Sequence, residues 1–158
     1  MRKRIISIII SLGVILGLTF ISNREVDASS TYPMLDGSYL THDDESEGEI
    51  LALPYGMYLQ TGYSKIGKIG DGLIAAGGST IAQMEVDEVY VGVIIERTLS
   101  EKDPWERYDF WSKTAYNARN VNTSERREVE GGYYYRVICT HVAHTDMGTS
   151  FTDGIYVE

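Results

Sequence analysis

From Val89 to Thr98 the chain alternates without a break. Val89, Val91, Val93 and Ile95 fall on one side of an extended backbone, and Tyr90, Gly92, Ile94 and Glu96 fall on the other. Successive side chains of a strand point to opposite faces, so one face of this segment must be buried. Tyr133 to Val142 repeats the pattern, with Tyr135, Val137 and Cys139 as the inward set and His141 at its end. Tyr58 to Ile69 and Leu73 to Ala82 are glycine-punctuated strand candidates, and Phe151 to Val157 closes the series. Turn residues recur at intervals of about ten, the spacing of an antiparallel sandwich or barrel. The expected fold is therefore all-β, an antiparallel β-sandwich of about seven strands. Ser100-Glu101-Lys102-Asp103-Pro104 supplies a hairpin turn, Trp105 to Trp111 returns from it, Ser112 to Asn122 reads as irregular, and Gly131-Gly132 marks a corner.

The N-terminus points to export. Met1-Arg2-Lys3-Arg4 is basic, Ile5 to Ile21 is apolar apart from Ser, Gly and Thr, and Val26-Asp27-Ala28 places short residues before Ser29. That is the layout of a signal peptide over residues 1–28, cleaved between Ala28 and Ser29. Contact with a membrane is expected only if this segment stays uncleaved as an anchor. Removing 28 of the 158 residues leaves 130, one domain's worth of chain. Four cations and two anions leave with the signal, taking the net charge from −9 to −11. Such a field repels polyanions, which argues against nucleic acid as a partner. With a single cysteine, Cys139, no internal disulfide can form, so packing must hold the fold. Residues 29–56 show little periodicity, and His42-Asp43-Asp44-Glu45-Ser46-Glu47-Gly48-Glu49 is strongly acidic. They read as a flexible acidic arm ahead of a sandwich domain at 57–158.

The corner before the second strong strand carries a local resemblance. Val129, Gly132 and Tyr135-Arg136-Val137-Ile138-Cys139 resemble the strand E to strand F corner of fibronectin type III and related immunoglobulin-like sandwiches, where a glycine and a corner tyrosine precede alternating apolar residues. The resemblance implies an immunoglobulin-like architecture and a Tyr135 hydroxyl bonded to nearby backbone. Over most of its length the chain also resembles an uncharacterised class of small secreted proteins of Gram-positive Firmicutes. The matching features are Tyr39-Leu40-Thr41 before an acidic stretch, a glycine-rich strand pair, Phe110-Trp111-Ser112, Gly132-Tyr133-Tyr134-Tyr135-Arg136-Val137 and Ser150-Phe151-Thr152-Asp153-Gly154. That resemblance implies export and a domain of unknown function.

No set of residues makes a convincing catalytic or metal site. Asp43, Glu45, Glu47 and Gly48 follow the first positions of a calcium-binding loop, but its twelfth position is Pro54, which carries no carboxylate. His141 and His144 lie three apart, on opposite faces of a strand unless the chain turns between them. Cys139 and His141 share a face roughly 7 Å apart along a strand, too far for proton transfer. Gly77-Gly78-Ser79-Thr80 is neither a nucleophile elbow nor a phosphate loop. The expectation is no catalytic residue, no metal and no cofactor.

The aromatic content, 12 Tyr, 2 Trp and 3 Phe, is the remaining signal. Exposed rings on a rigid sheet suit glycan or peptide recognition, because they combine contact area with little entropy loss. Trp105, beside Pro104 in the hairpin, is the first candidate, followed by Trp111, Tyr133 and Tyr134. The expected function is a non-catalytic extracellular binding module for a glycan or peptide. The alternatives are a secreted inhibitor or immunity-like protein meeting a basic partner, or a hydrolase.

Overall fold

The computed structural model describes residues 38–50 and 56–158. The signal peptide, the Ala28–Ser29 junction and Pro54 lie outside the described residues. Within them the chain is all-β and has eight strands: β1 (Leu40–Thr41), β2 (Glu45–Glu49), β3 (Leu59–Gly70), β4 (Leu73–Thr98), β5 (Glu106–Glu128), β6 (Tyr133–Ala143), β7 (Asp146–Phe151) and β8 (Gly154–Val157).

The organising element is a long ribbon. β4 and β5 pair from Leu73↔Glu128 to Arg97↔Glu106, and the register slips between Ile81 and Val86. Nearby in β5, Asn117 takes a φ of 50°, a left-handed conformation that asparagine adopts more readily than most residues. The ribbon bends there. β3 pairs with the first half of β4, from Leu59↔Ala82 to Gly70↔Leu73. β6 pairs with the second half, from Val89↔Ala143 to Thr98↔Tyr134. β2 continues the sheet beyond β3, while β7 and β8 follow each other along the far side of β6. β1 adds two residues in parallel to β8.

The bend brings the two halves of one sheet face to face. The Thr80 hydroxyl lies 2.8 Å from His141 Nδ1, and the Cys139 thiol lies 3.7 Å from the Gly77 carbonyl. β5 folds with it, so that Tyr108 donates to the Glu128 carbonyl at 3.0 Å from the other half of the same strand. Val89, Val91, Val93, Ile95, Tyr135, Val137 and Cys139 are fully buried from one half, with Ile66, Ile74 and Ala76 from the other. The sets from β4 and β6 are those that the alternation predicts, and Ile66, Ile74 and Ala76 complete the core from the facing half.

Three expectations are corrected. The sandwich of about seven antiparallel strands is instead one curled, mixed, eight-stranded sheet, because β4 (26 residues) and β5 (23 residues) run through the bend. No proline or glycine interrupts Ile81 to Val91, so nothing ends the strand where two separate sheets would require it. Ser112 to Asn122 is not irregular but the middle of β5, held in register by β4. The acidic stretch is not wholly an unpaired arm. Glu45–Glu49 forms β2, with Ser46 and Gly48 turned inward and Glu47 opposite Lys65. The corner is as expected from the tyrosine, whose hydroxyl donates to the Glu130 carbonyl at 2.8 Å.

Candidate functional site

The four aromatic candidates do not form one patch. Trp111 pairs with Val93 and faces the interior. Its indole N–H donates to Thr123 Oγ1 at 3.2 Å, and the Arg127 guanidinium sits 5.0 Å from its ring. Arg127 is itself held by Asp109, whose carboxyl it keeps below the usual range. Tyr133 also faces inward, 6.3 Å from Tyr135 and under the Arg97 guanidinium at 4.5 Å. Both rings pack against the core.

Trp105 and Tyr134 lie on the outer face of the β6–β8 half, and both are engaged. Arg136 Nε and Nη2 donate to Glu96 Oε2 at 2.9 and 2.8 Å, Nη1 donates to Ser38 Oγ at 3.3 Å, and the Trp105 ring covers the guanidinium at 4.1 Å. Arg136 is only 8% exposed and Glu96 19%. Gly154 permits this: a Cβ there would lie 2.7 Å from the Trp105 ring and 2.9 Å from Leu40. Tyr134 pairs across strands with Tyr156 at 5.0 Å, and its hydroxyl lies 3.2 Å from His42 Nε2. Trp105 is thus a half-buried cover over an ion pair rather than a free ring in a loop.

The outer face of the other half is bare. There the outward residues of four paired strands form a grid. Glu45, Gly67, Ala75 and the exposed Arg126 lie in one row, Glu47, Lys65, Gly77 and Ser124 in the next, and Glu49, Tyr63, Ser79 and Asn122 in the third. Along β4 the outward residues are Ala, Gly and Ser, and Gly67 extends this floor into β3. With no long side chain to fill it, the floor lies at backbone level and leaves a trough of about 610 Å³. That is within the roughly 300–1,000 Å³ of small-ligand sites. Tyr63, 40% exposed, forms part of the wall. Lys65 leans to the rim, where Nζ meets Glu45 at 3.0 Å and Glu47 at 2.5 Å. Lys68 pairs likewise with Asp44 at 3.0 Å.

None of the trough residues stands among the aromatic candidates of the sequence. Its signal there is the run Ala75-Ala76-Gly77-Gly78-Ser79 inside a strand, where small outward residues leave space.

The reactive groups singled out in the sequence are sealed inside. His141 is fully buried, and burial lowers its pKa to about 4. Thr80 Oγ1 donates its proton to the Tyr90 carbonyl at 2.9 Å, so it accepts from His141 Nδ1–H. Nε2 then accepts from the Ser150 hydroxyl at 2.7 Å. The ring is a neutral, doubly satisfied bridge between β4 and β7. Burial pushes the Cys139 thiol up to about 12, which leaves no thiolate at neutral pH. His144, with a φ of 53°, turns away and meets the Tyr58 ring edge-on at 4.5 Å. Among the described residues no three His, Cys, Asp or Glu side chains are placed to hold a metal ion. No described helix is long and apolar enough to cross a membrane.

No curated protein and no solved structure matches the chain. Residues 21–155 match a family described as a family of unknown function (DUF6147), and the chain belongs to it.

Proposed function

We propose that this family member is a non-catalytic extracellular binding module that holds a glycan or peptide in the trough on the outer face of β2 to β5. The observation that carries the reading is the trough itself, about 610 Å³ in volume and floored by Gly67, Ala75, Gly77 and Ser79. A sheet face that only needed solvation would carry long polar side chains there. The absence of a chemical role is supported by position. His141 and Cys139 lie on the inner face of the sheet and are sealed from the trough, and the trough's Glu45 and Glu47 are tied to Lys65. Export rests on the basic and apolar leader, and mass spectrometry of the secreted protein should find Ser29 at the N-terminus. The binding role is tested by probing the purified protein with immobilised glycans and peptides, then repeating the strongest hit with Gly67→Val. Loss of the hit locates binding in the trough; an unchanged hit places it elsewhere and removes the reading.

A further inference from the structure

We infer that the trough takes a neutral, β-linked oligosaccharide lying along β4, with one sugar ring stacked on Tyr63. The inference rests on the binding role proposed above and names its ligand class.

Charge narrows the choice first. Both lysines of the trough already hold carboxylates, Lys65 with Glu45 and Glu47 and Lys68 with Asp44. An anionic ligand would have to break these pairs and approach a chain of net charge −9. Hydrogen bonding then separates glycan from peptide. An extended peptide docks on a sheet by adding to a free edge, where main-chain N–H and C=O groups are unpaired. The trough lies on a sheet face, and β3 and β4 beneath it are paired on both sides. A peptide backbone would find few main-chain partners there. Sugar hydroxyls need none, because they bond to side-chain carboxylates and hydroxyls, and Glu47, Ser79 and Ser124 stand at this surface.

Shape agrees. A pyranose with equatorial substituents is flat and presents C–H groups on its faces, which suits a floor at backbone level and the ring of Tyr63. Ala75 to Ser79 spans about 13 Å of strand, so an extended chain fits better than a single sugar.

The test is amide chemical-shift titration of the protein with cellotetraose and chitotetraose. Hyaluronan tetrasaccharide serves as the anionic comparison, and an uncharged extended hexapeptide as the peptide one. The expected result is that a neutral tetrasaccharide shifts the amides of Tyr63, Gly67, Gly77 and Ser79, that Tyr63→Ala weakens it about tenfold, and that Gly67→Val abolishes it. A Cβ at Gly67 meets Glu45 Cβ at 3.5 Å, an ordinary contact, and denaturant unfolding of Gly67→Val checks that its two further methyls leave the sheet folded. If the hexapeptide or hyaluronan shifts these amides and neither neutral tetrasaccharide does, the ligand class is overturned and the binding role stands. If no probe shifts them, or shifts appear only around Trp105 and Tyr134, the trough falls as a site and both readings fall with it.

Discussion

The two outer faces of the curled sheet are built in opposite ways. On the β6–β8 side, a glycine in the strand is covered: the Trp105 ring and Leu40 pack over Gly154, and beneath the tryptophan Arg136 pairs with Glu96. On the β2–β5 side, the strand is equally rich in small residues and no ring lies over it, although at Gly77 the β5 backbone at Thr123 and Ser124 itself closes in on the space a side chain would take. The sequence signal is the same, a small residue in a strand, and the outcome depends on whether a large side chain elsewhere in the chain is spent on it. Large aromatics draw attention in a sequence, yet here Trp105 and Tyr134 are used as cover. The open concavity is defined by side chains that are missing.

The largest effect should come from the covered face. Glu96→Ala would take from Arg136, only 8% exposed, the carboxylate that accepts from its Nε and Nη2, and losing these charge-assisted bonds should cost about 3 kcal/mol. Trp105→Ala should cost about 2 kcal/mol, through lost burial and the lost contact with the guanidinium. Urea unfolding midpoints measure both. If Trp105→Ala left stability within about 0.5 kcal/mol of the parent, the ring would be a surface group and the contrast between the faces would disappear.

Between the faces lies the interior seam, where His141 on β6 bridges Thr80 and Ser150. The ring is neutral in the folded state, with a pKa lowered to about 4 from the usual 6.5. The unfolded chain therefore binds a proton that the folded chain does not, as pH falls below 6.5. Stability from this group is fully present above pH 6.5 and is lost as pH falls toward 4, a loss on the order of 3 kcal/mol. His141→Gln should be less stable at pH 7, but its unfolding free energy should change less between pH 6.5 and 4. Parallel pH curves for the two proteins would mean that carboxylates alone govern the acid response.

How much of this was legible follows from what alternation reports. It picks out faces, so the inward sets of β4 and β6 and the Tyr135 corner are readable residue by residue. Alternation says nothing about where a strand stops when no glycine or proline marks the end. That is why a ribbon running through the Ile81 to Val86 slip looks like separate strands. It also overlooks strands whose inward residues are small, as in β2, where only Ser46 and Gly48 face the core. The trough was illegible for the same reason: its floor is read as mere glycine punctuation until the partner strands are known. A smaller effect checks the legible part. Tyr135→Phe should cost on the order of 1 kcal/mol by removing its bond to the Glu130 carbonyl, and Tyr134→Phe less, since its partner His42 is exposed. Equal midpoints for the two variants would contradict the assigned corner.

The smallest expected effect, at Gly67, sharpens the comparison most when the same substitution is made on the other face. At Gly154 a Cβ would meet the Trp105 ring at 2.7 Å and Leu40 at 2.9 Å, so Gly154→Ala must push the cover away and should cost roughly 1–3 kcal/mol. At Gly67 the nearest atoms are Glu45 Cβ at 3.5 Å and the Asp44 carbonyl at 3.7 Å, and the backbone has no positive φ that a side chain would strain. Gly67→Ala should therefore fall within about 0.5 kcal/mol of the parent, because the lower entropy of the unfolded chain with alanine offsets any slight crowding. The pair is measured under identical conditions by denaturant unfolding, with Trp105 fluorescence as a second readout. Gly154→Ala should alter that emission by displacing the indole from Arg136, and Gly67→Ala should leave it unchanged. Similar costs at the two glycines would mean that the β2–β5 face is as filled as the other, and the trough could not then be open to a ligand.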